Sequence, residues 1–126
     1  MYKIYISGAI RNNPSYVKDF IKAKSYLQEI GFEVLSPLDT YAYQNCLPIK
    51  MCMFEAIDML KKADLITFIT EGIKSKGMQI ERDLALYCNI PIINYQFFKT
   101  KNKEGIKEGI DTLVKVKEEI QIKEVK

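Results

Sequence analysis

Residues 63–88, ADLITFITEGIKSKGMQIERDLALYC, decide the fold of this chain. The segment begins with a mostly apolar run, 63–70, which predicts a buried strand. A polar, glycine-containing loop follows, and residues from about 77 to 88 then have the apolar spacing of a helix. A buried strand followed by a helix is the repeating unit of a parallel α/β sheet. The helix carries one residue that does not fit this pattern, Glu81.

Glu81 lies on the helix face that should pack against the sheet. Its neighbours at helical spacing are small or apolar: Gly77, Met78, Leu84, Ala85 and Cys88. Removing a carboxylate from water costs free energy, so a buried one is expected to be paired or to have a functional role. Glu81 is therefore either a structural carboxylate paired with Arg82 or a lysine, or a functional one.

The rest of the chain alternates between strand and helix in the same way. Strands are predicted at residues 2–7, 32–36, 63–70 and 91–95, and helices at about 14–30, 49–62, 77–88 and from 104. Asn13 is the predicted N-cap of the first helix, with Pro14 as its first residue. The alternation predicts a parallel sheet of four or five strands, flanked by helices, with the first strand central.

The chain is expected to form a single domain, 1–126, with its core in residues 1–95. A final Lys/Glu-rich helix at about 104–120 either covers the sheet edge or meets a partner. The conformation of the tail, 121–126, stays open between helix end, short strand and disorder. Residues 37–48, PLDTYAYQNCLP, form a long polar and aromatic loop of the kind that is usually functional or mobile.

Composition excludes several classes of protein. The sequence has no histidine, which excludes Ser-His-Asp and Cys-His nucleophile systems and the usual zinc sites. The net charge of +3 gives no particular argument for nucleic acid. The three cysteines have no metal-like spacing, no signal peptide is recognisable, and no apolar run approaches the roughly 18 residues of a membrane span. A soluble cytoplasmic protein is expected.

A ligand crevice is predicted between the loops that follow strands one and three. In a parallel sheet, ligands bind beyond the carboxyl ends of the strands, at the point where strand order reverses. With the first strand central, that point lies between strands one and three. The two unusual loops, SGAIRNN at 7–13 and EGIKSKG at 71–77, follow these two strands.

The residues of these loops have both structural and functional interpretations. Gly8 either supplies only the backbone freedom of a turn or, with the loop amides and Arg11, meets an anion such as phosphate. Ser75 is either a simple helix N-cap or a hydroxyl aimed at the same phosphate, with Lys74 and Lys76 strengthening the positive field.

Three further residues are open to two interpretations. Tyr5 is either a core residue or a hydroxyl that reaches Glu81, because strand one should lie beside strand three. Glu55 and Asp58 share one helix face and form either a solvated acidic patch with nearby lysines or part of the site.

Taken together, YISGAIR at 5–11, a third strand led by Asp64 and S-x-x-x-x-x-E at 75–81 resemble the nucleoside 2-deoxyribosyltransferase-like family. The serine-to-glutamate spacing is most similar to its 2'-deoxynucleoside 5'-monophosphate N-glycosidase branch and to its short unassigned relatives. The resemblance covers about residues 1–95. It implies a flavodoxin-like or Rossmann-like three-layer sandwich and a homodimer. It also implies a nucleotide or nucleoside as ligand, with no metal or organic cofactor and no nucleic-acid or membrane partner.

The resemblance also implies roles for individual residues. Glu81 matches the nucleophile that attacks C1' of the deoxyribosyl group, and Tyr5 matches the tyrosine that orients it. The implied substrate-binding residues are Ser7, Gly8, Arg11, Glu55, Asp58, Ser75 and Gly77. The implied activity is N-glycosidase or N-deoxyribosyltransferase, with hydrolysis and transfer both open.

The sequence departs from the family pattern at two positions. Ala56 stands where the family has an aspartate that handles the leaving base or sugar, and Ala9 replaces a serine of the glycine loop. Ala56 favours an alternative, a non-catalytic nucleotide-binding module that acts as a phage or stress regulator. A third interpretation is a partner-binding scaffold that uses the helix from 104.

The loop at 37–48 offers several side chains for contact with the nucleobase of a ligand. Tyr41 and Tyr43 are both available for stacking, and Gln44 or Asn45 for base edges.

Overall fold

The computed structural model describes residues 2–70 and 75–125. Within them, the strands are Lys3–Ser7 (β1), Glu33–Leu35 (β2), Leu65–Phe68 (β3) and Ile92–Asn94 (β4). The helices are Tyr16–Ile30 (α1), Tyr41–Gln44 (α2), Ile49–Leu60 (α3), Lys76–Tyr87 (α4), Phe97–Thr100 (α5) and Lys103–Val125 (α6), with a 3-10 turn at Pro37–Asp39. Most of the predicted EGIKSKG loop, including Lys74, lies outside the described residues.

The strands form one parallel sheet in the order β2-β1-β3-β4. In β1, Ile4 lies beside Val34 on one side and beside Leu65 on the other. The predicted parallel α/β architecture with a central first strand is therefore confirmed. Strand order reverses between β1 and β3, whose carboxyl ends meet where Ser7 pairs with Phe68.

Alternation along the strands separates two hydrophobic cores, one on each face of the sheet. The first core joins the sheet to α1, α5 and α6, and its buried members include Ile4, Ile6, Phe20, Leu27, Leu65, Phe98, Ile106 and Ile110. The second core joins the other face to α3 and α4, and its buried members are Tyr5, Leu60, Ile66 and Ala85. Helices on both faces make three layers, and Tyr5 points to the α3 and α4 side.

The C-terminal helix packs onto the domain through its first turns. Ile106 and Ile110 of α6 are buried in the first core, and Leu113 and Val114 pack beside them. The tail that the sequence left open is helical through Val125. The short helix α5, which the sequence pattern did not predict, buries Phe98 in the same core. None of the described helices is long and apolar enough to cross a membrane.

Helix α1 begins two residues later than its predicted start at Pro14. Asn13 is not its N-cap, because the Asn13 Oδ1 atom accepts from the backbone N–H of Ser15 at 3.3 Å and from its hydroxyl at 3.1 Å. This local turn delays the helix until Tyr16. The predicted inward position of Cys88 is also wrong, because α4 ends at Tyr87 and Cys88 is exposed at its C-cap.

The segment after β2, which was predicted as a long loop, contains two short helical elements. Ser36 caps the 3-10 turn by accepting from the N–H of Leu38, and Thr40 caps α2 by accepting from the N–H of Tyr43. Two successive hydroxyl caps therefore fold this polar stretch into two short helical turns at the carboxyl edge of the sheet.

Candidate functional site

The buried carboxylate of Glu81 is the centre of the site. Its side chain projects from α4 toward β1 and is only 6% exposed. The Tyr5 hydroxyl donates a hydrogen bond to Glu81 Oε2. The Ser7 hydroxyl donates to Glu81 Oε1 at 2.9 Å. Each carboxylate oxygen thus has its own hydroxyl donor from the central strand.

Two local patterns bring these three side chains together. Residues two apart on a strand point to the same face, so Tyr5 and Ser7 both point toward α4. Ser75 starts α4 by capping it, since its hydroxyl accepts from the N–H of Met78 at 3.3 Å. From that start, Glu81 falls on the helix face that buries Ala85 against the sheet.

Burial and hydrogen bonding act on the Glu81 carboxyl in opposite directions. Burial raises the pKa of Glu81, and the hydroxyls of Tyr5 and Ser7 lower it by a smaller amount, so that the net shift is upward. Burial, together with the nearby Glu81 carboxylate, raises the pKa of Tyr5 well above its ordinary value of 10.0. Tyr5 is therefore a neutral hydroxyl donor throughout the physiological pH range.

The carboxylate has no cationic partner among the residues that the structure describes. Arg82, one of the partners considered from the sequence, is exposed, and its guanidinium carbon lies 5.9 Å from the centroid of the Phe68 ring. A buried, unpaired carboxylate that is held by two neutral hydroxyls is suited to act on a cationic or electron-poor centre.

The loop after β1 is tied to the end of β3. A Cβ atom on Gly8 would lie 2.9 Å from Ile69 Cγ1 and 2.9 Å from Thr70 Oγ1, so that only glycine fits there. The backbone N–H of Ala9 donates to Thr70 Oγ1 at 3.2 Å, and the N–H of Ile69 donates to Ser7 O at 2.8 Å. These contacts hold the carboxyl ends of β1 and β3 together, at the point where strand order reverses.

Asn13 has a larger role in this loop than the sequence suggested. It is 5% exposed, and its side-chain amide donates to Ala9 O at 3.0 Å and to Asp19 Oδ2 at 3.3 Å. It therefore links the loop after β1 to the first turn of α1. Arg11, a predicted phosphate contact, is exposed on the same loop.

Three further residues that were predicted to bind substrate, on α3 and at the start of α4, contact other parts of the structure. Glu55 Oε2 accepts from the backbone N–H of Ala42 at 2.5 Å, which ties α3 to the first turn of α2. Asp58 is exposed and forms an ion pair with Lys61 at 3.0 Å, which lowers the pKa of Asp58. A Cβ atom on Gly77 would lie 3.4 Å from Met53 Cε, so that Gly77 lies where α4 meets α3.

The structure thus brings together Tyr5, Ser7 and Glu81, with Gly8 beside Ser7 at the end of β1. Ala56, at the position where the family that the sequence resembles has an aspartate, is buried. The contact of Ser7 with Glu81 was missed from the sequence, which assigned Ser7 to substrate. Alternation along YIS was the available signal, because it puts Ser7 on the same face as Tyr5, although it does not define the position of α4 along β1.

A contact between two tyrosines, Tyr16 of α1 and Tyr43 of α2, was also missed from the sequence. The Tyr43 hydroxyl donates to the Tyr16 hydroxyl at 2.7 Å, and the two rings meet edge to face at 6.3 Å between centroids. Partial burial raises the pKa of Tyr43 to about 12, and the hydrogen bond with Tyr16 is the second cause of this increase. Tyr41 of the same helix is 68% exposed. The two candidates for base stacking therefore differ, because only Tyr43 is held by another aromatic side chain in the described residues.

Comparison with known proteins agrees with this architecture. Residues 2–94 match a family profile described as a domain of unknown function, DUF4406. No curated protein matches the chain. A solved structure described as a 2-deoxyribosyltransferase from the psychrotolerant bacterium Bacillus psychrosaccharolyticus is similar, with a TM-score of 0.55 and 19% identity. The match covers 73% of this chain and 70% of that one, and at this identity the likeness concerns the fold.

Proposed function

The chain belongs to the DUF4406 family of domains of unknown function, and we propose that it cleaves the N-glycosidic bond of 2'-deoxynucleoside 5'-monophosphates. The observation that carries the proposal is the buried Glu81 carboxylate, which Tyr5 and Ser7 hold at the switch point of a deoxyribosyltransferase-like sheet. The proposed activity is that of an N-glycosidase or an N-deoxyribosyltransferase.

Glu81 is the proposed nucleophile. One carboxylate oxygen forms a bond to C1' of the deoxyribose while the C1'–N bond breaks, and the electron pair of that bond leaves with the base, which takes up a proton. Water then attacks C1' of the glycosyl-enzyme ester, releases the sugar phosphate and restores the carboxylate. A second base in place of water would give transfer instead of hydrolysis.

The buried environment favours this chemistry. Bond cleavage passes through an oxocarbenium-like state, and a carboxylate in a site of low polarity stabilises that positive charge more strongly than in water. Glu81 has two neutral donors and no described cationic partner, so its negative charge remains available to the sugar. A 2'-deoxy sugar reaches the cationic state more readily, because no 2'-oxygen withdraws electrons from it.

The phosphate is proposed to bind at the start of α4. Ser75 caps that helix, and the first-turn N–H groups of a helix, together with its dipole, favour an anion. Lys76 is exposed in the same turn, and Arg11 is exposed on the loop after β1. Both cations lie at the carboxyl edge of the sheet, where Ser7 ends β1 and contacts the Glu81 carboxylate.

Base release from deoxynucleoside monophosphates tests the proposal. Purified protein is incubated with each of the four, and free base is measured by liquid chromatography. We expect release by the wild type and a loss of at least about a thousandfold in Glu81→Gln, which keeps the size and removes the nucleophile. Glu29→Gln is the matched control, because Glu29 is exposed on α1. Wild-type protein without release, or an active Glu81→Gln, would contradict the proposal.

A non-catalytic nucleotide-binding module is the second candidate, and the contacts of α3 favour it. Ala56 supplies no carboxylate, Glu55 is bonded to the N–H of Ala42, and Asp58 is paired with Lys61. The module predicts thermal stabilisation by deoxynucleotides without base release. It also predicts that binding survives in Glu81→Gln.

We further propose that the protein is a homodimer. Large apolar side chains are exposed on the adjacent helices α3 and α4, namely Met51, Phe54, Ile80, Leu86 and Tyr87. Apolar surface of this kind is typical of an interaction site. Light scattering coupled to size-exclusion chromatography should give twice the chain mass, and Phe54→Lys should lower it. A monomeric wild type would contradict the dimer and leave the proposed chemistry untouched.

A further inference from the structure

Ser7 is the last residue of β1, and its hydroxyl is fully buried against the carboxylate of Glu81. Its relative exposure is 0%, and its Oγ lies 2.9 Å from Glu81 Oε1. The other oxygen, Oε2, takes the hydrogen bond from Tyr5. A serine hydroxyl has one proton to donate, so the bond to Glu81 leaves Ser7 no donor for a substrate phosphate.

We propose that Ser7 is a positioning residue, which together with Tyr5 fixes the plane of the Glu81 carboxylate and favours its ionised form. The proposal rests on the proposed function for its effect on the reaction rate. It replaces the role in substrate binding that the sequence implied for Ser7.

Geometry is the first argument. The terminal torsion of a glutamate side chain is broad, so a carboxylate that is held at one oxygen can still rotate. Donors at both oxygens, from two positions on one strand, define the carboxylate plane. The strand itself is central in the sheet and pairs on both sides, which makes Tyr5 a rigid support. Ser7 pairs with Phe68 of β3. Attack on C1' requires an oxygen lone pair in a defined direction, and two-point fixation supplies it.

Charge is the second argument. A carboxylate in a buried site is stabilised by each hydrogen bond that it accepts, and bonds to an ionised acceptor are stronger than neutral ones. The described contacts of Glu81 include no cation, so Tyr5 and Ser7 are its stabilising donors. Removing the Ser7 hydroxyl therefore raises the pH at which Glu81 ionises.

Direct titration of Glu81 tests the proposal without relying on activity. Protein labelled with carbon-13 at the glutamate carboxyl is titrated by NMR, and the Glu81 resonance is identified by its loss in Glu81→Gln. In Ser7→Ala, the titration midpoint should move to higher pH. Thr67→Val is the control, because Thr67 is also fully buried but its hydroxyl donates to Ile93 O at 2.7 Å. Its midpoint should equal that of the wild type.

Kinetics test the consequence for rate. We expect Ser7→Ala to lower kcat by about tenfold, the lower end of the range for one hydrogen bond to a charged group, with a smaller change in KM. The acid limb of its pH-rate profile should move to higher pH. Ser7→Cys, which keeps a weak S–H donor, should fall between Ser7→Ala and the wild type. It also serves where the alanine variant fails to fold.

The outcomes separate this proposal from the proposed function. An unshifted Glu81 midpoint in both Ser7→Ala and Ser7→Cys overturns the positioning role, whatever the activity. A shifted midpoint in a protein that releases no base supports the contact of Ser7 with Glu81 while overturning the N-glycosidase. A large change in KM with kcat and the pH profile unchanged returns Ser7 to substrate binding and overturns the proposal.

Discussion

Tyr5 and Glu81 are 76 positions apart in the sequence, and the hydroxyl of the first donates to the carboxylate of the second in the buried layer between β1 and α4. The contact exists because β1 and β3 are neighbours in the sheet and α4 follows β3 across the same face. It joins the two halves of the fold at the point where strand order reverses.

Replacing Tyr5 with phenylalanine removes the donor and keeps the buried ring. We expect kcat for base release to fall by about tenfold to a hundredfold, because a hydrogen bond to a charged group contributes about 1.5–3 kcal/mol. Tyr26→Phe is the matched control, since the Tyr26 hydroxyl donates to Phe98 O at 2.7 Å in the core on the opposite face. Equal losses in the two variants would indicate a general packing effect and contradict the role of Tyr5.

Stability should fall as the Glu81 carboxyl ionises. Burial raises its folded-state pKa above the ordinary value of 4.5. Below about pH 4.5 the carboxyl is protonated in both states. As the pH rises from there through the raised folded-state pKa, the unfolded chain loses its proton first, and the free energy of unfolding falls. Above the folded-state pKa this loss is complete.

Urea unfolding of wild type and Glu81→Gln over a pH series measures this effect. The glutamine variant should gain stability relative to the wild type as the pH rises through that window. Base release should increase over the same window, because the nucleophile must be ionised. The Glu29→Gln variant should retain the wild-type pH dependence. A stability difference between wild type and Glu81→Gln that is constant with pH would contradict the raised pKa.

The sheet and the inward position of Glu81 could be predicted because they follow from periodicity alone. The β-branched and aromatic residues of YKIYIS and the apolar run after Asp64 predict strands, and helical spacing around Glu81 predicts its face. Placing β1 beside β3 then made a contact of Tyr5 with Glu81 one of two interpretations, and the structure shows that contact. These features depend on which face a residue occupies, and a face is defined by sequence spacing.

The remaining contacts depend on packing distances that spacing does not define. The hydrogen bond from Ser7 to Glu81 requires one particular position of α4 along the length of β1. The start of α1 depends on the Asn13 side chain, which forms hydrogen bonds with Ser15 and Ala9 and does not cap the helix. The Glu55 bond to Ala42 depended on how residues 37–48 fold. Each is a polar side chain with several possible partners, and tertiary structure selects one.

Gly8 should tolerate no side chain. A Cβ atom there would lie within 2.9 Å of Ile69 and Thr70, and 3.1 Å from Phe20 Cζ, so that Gly8→Ala should lower the free energy of unfolding by about 1–3 kcal/mol. Urea unfolding measures the loss.

Gly77→Ala is the comparison for Gly8→Ala, because a Cβ atom on Gly77 would meet only the flexible end of Met53 at 3.4 Å and the Ser75 hydroxyl at 3.7 Å. Alanine also favours helix, so Gly77→Ala should be neutral or stabilising by up to about 1 kcal/mol. Similar losses in both variants would contradict the close contact at Gly8.

The two tyrosines of α2 should separate into a ligand contact and a structural contact. Tyr41 is 68% exposed, whereas Tyr43 is half-buried and bonded to Tyr16 at 2.7 Å. Tyr41→Ala should weaken nucleotide binding by about 1–3 kcal/mol, the range for stacking of a base on an aromatic ring, and leave the melting temperature unchanged. Tyr43→Ala should lower the melting temperature, because it removes the edge-to-face contact and the hydroxyl bond.

Isothermal titration with deoxynucleoside monophosphates, together with thermal unfolding of the unliganded variants, measures both effects. Tyr43→Phe is the matched control for the second effect, since it keeps the ring contact with Tyr16 and removes only the hydroxyl. It should therefore lose less stability than Tyr43→Ala. If Tyr41→Ala binds nucleotides as the wild type does while Tyr43→Phe loses affinity at unchanged stability, then the half-buried pair of Tyr16 and Tyr43 contacts the base. In that case the exposed ring of Tyr41 has no part in recognition.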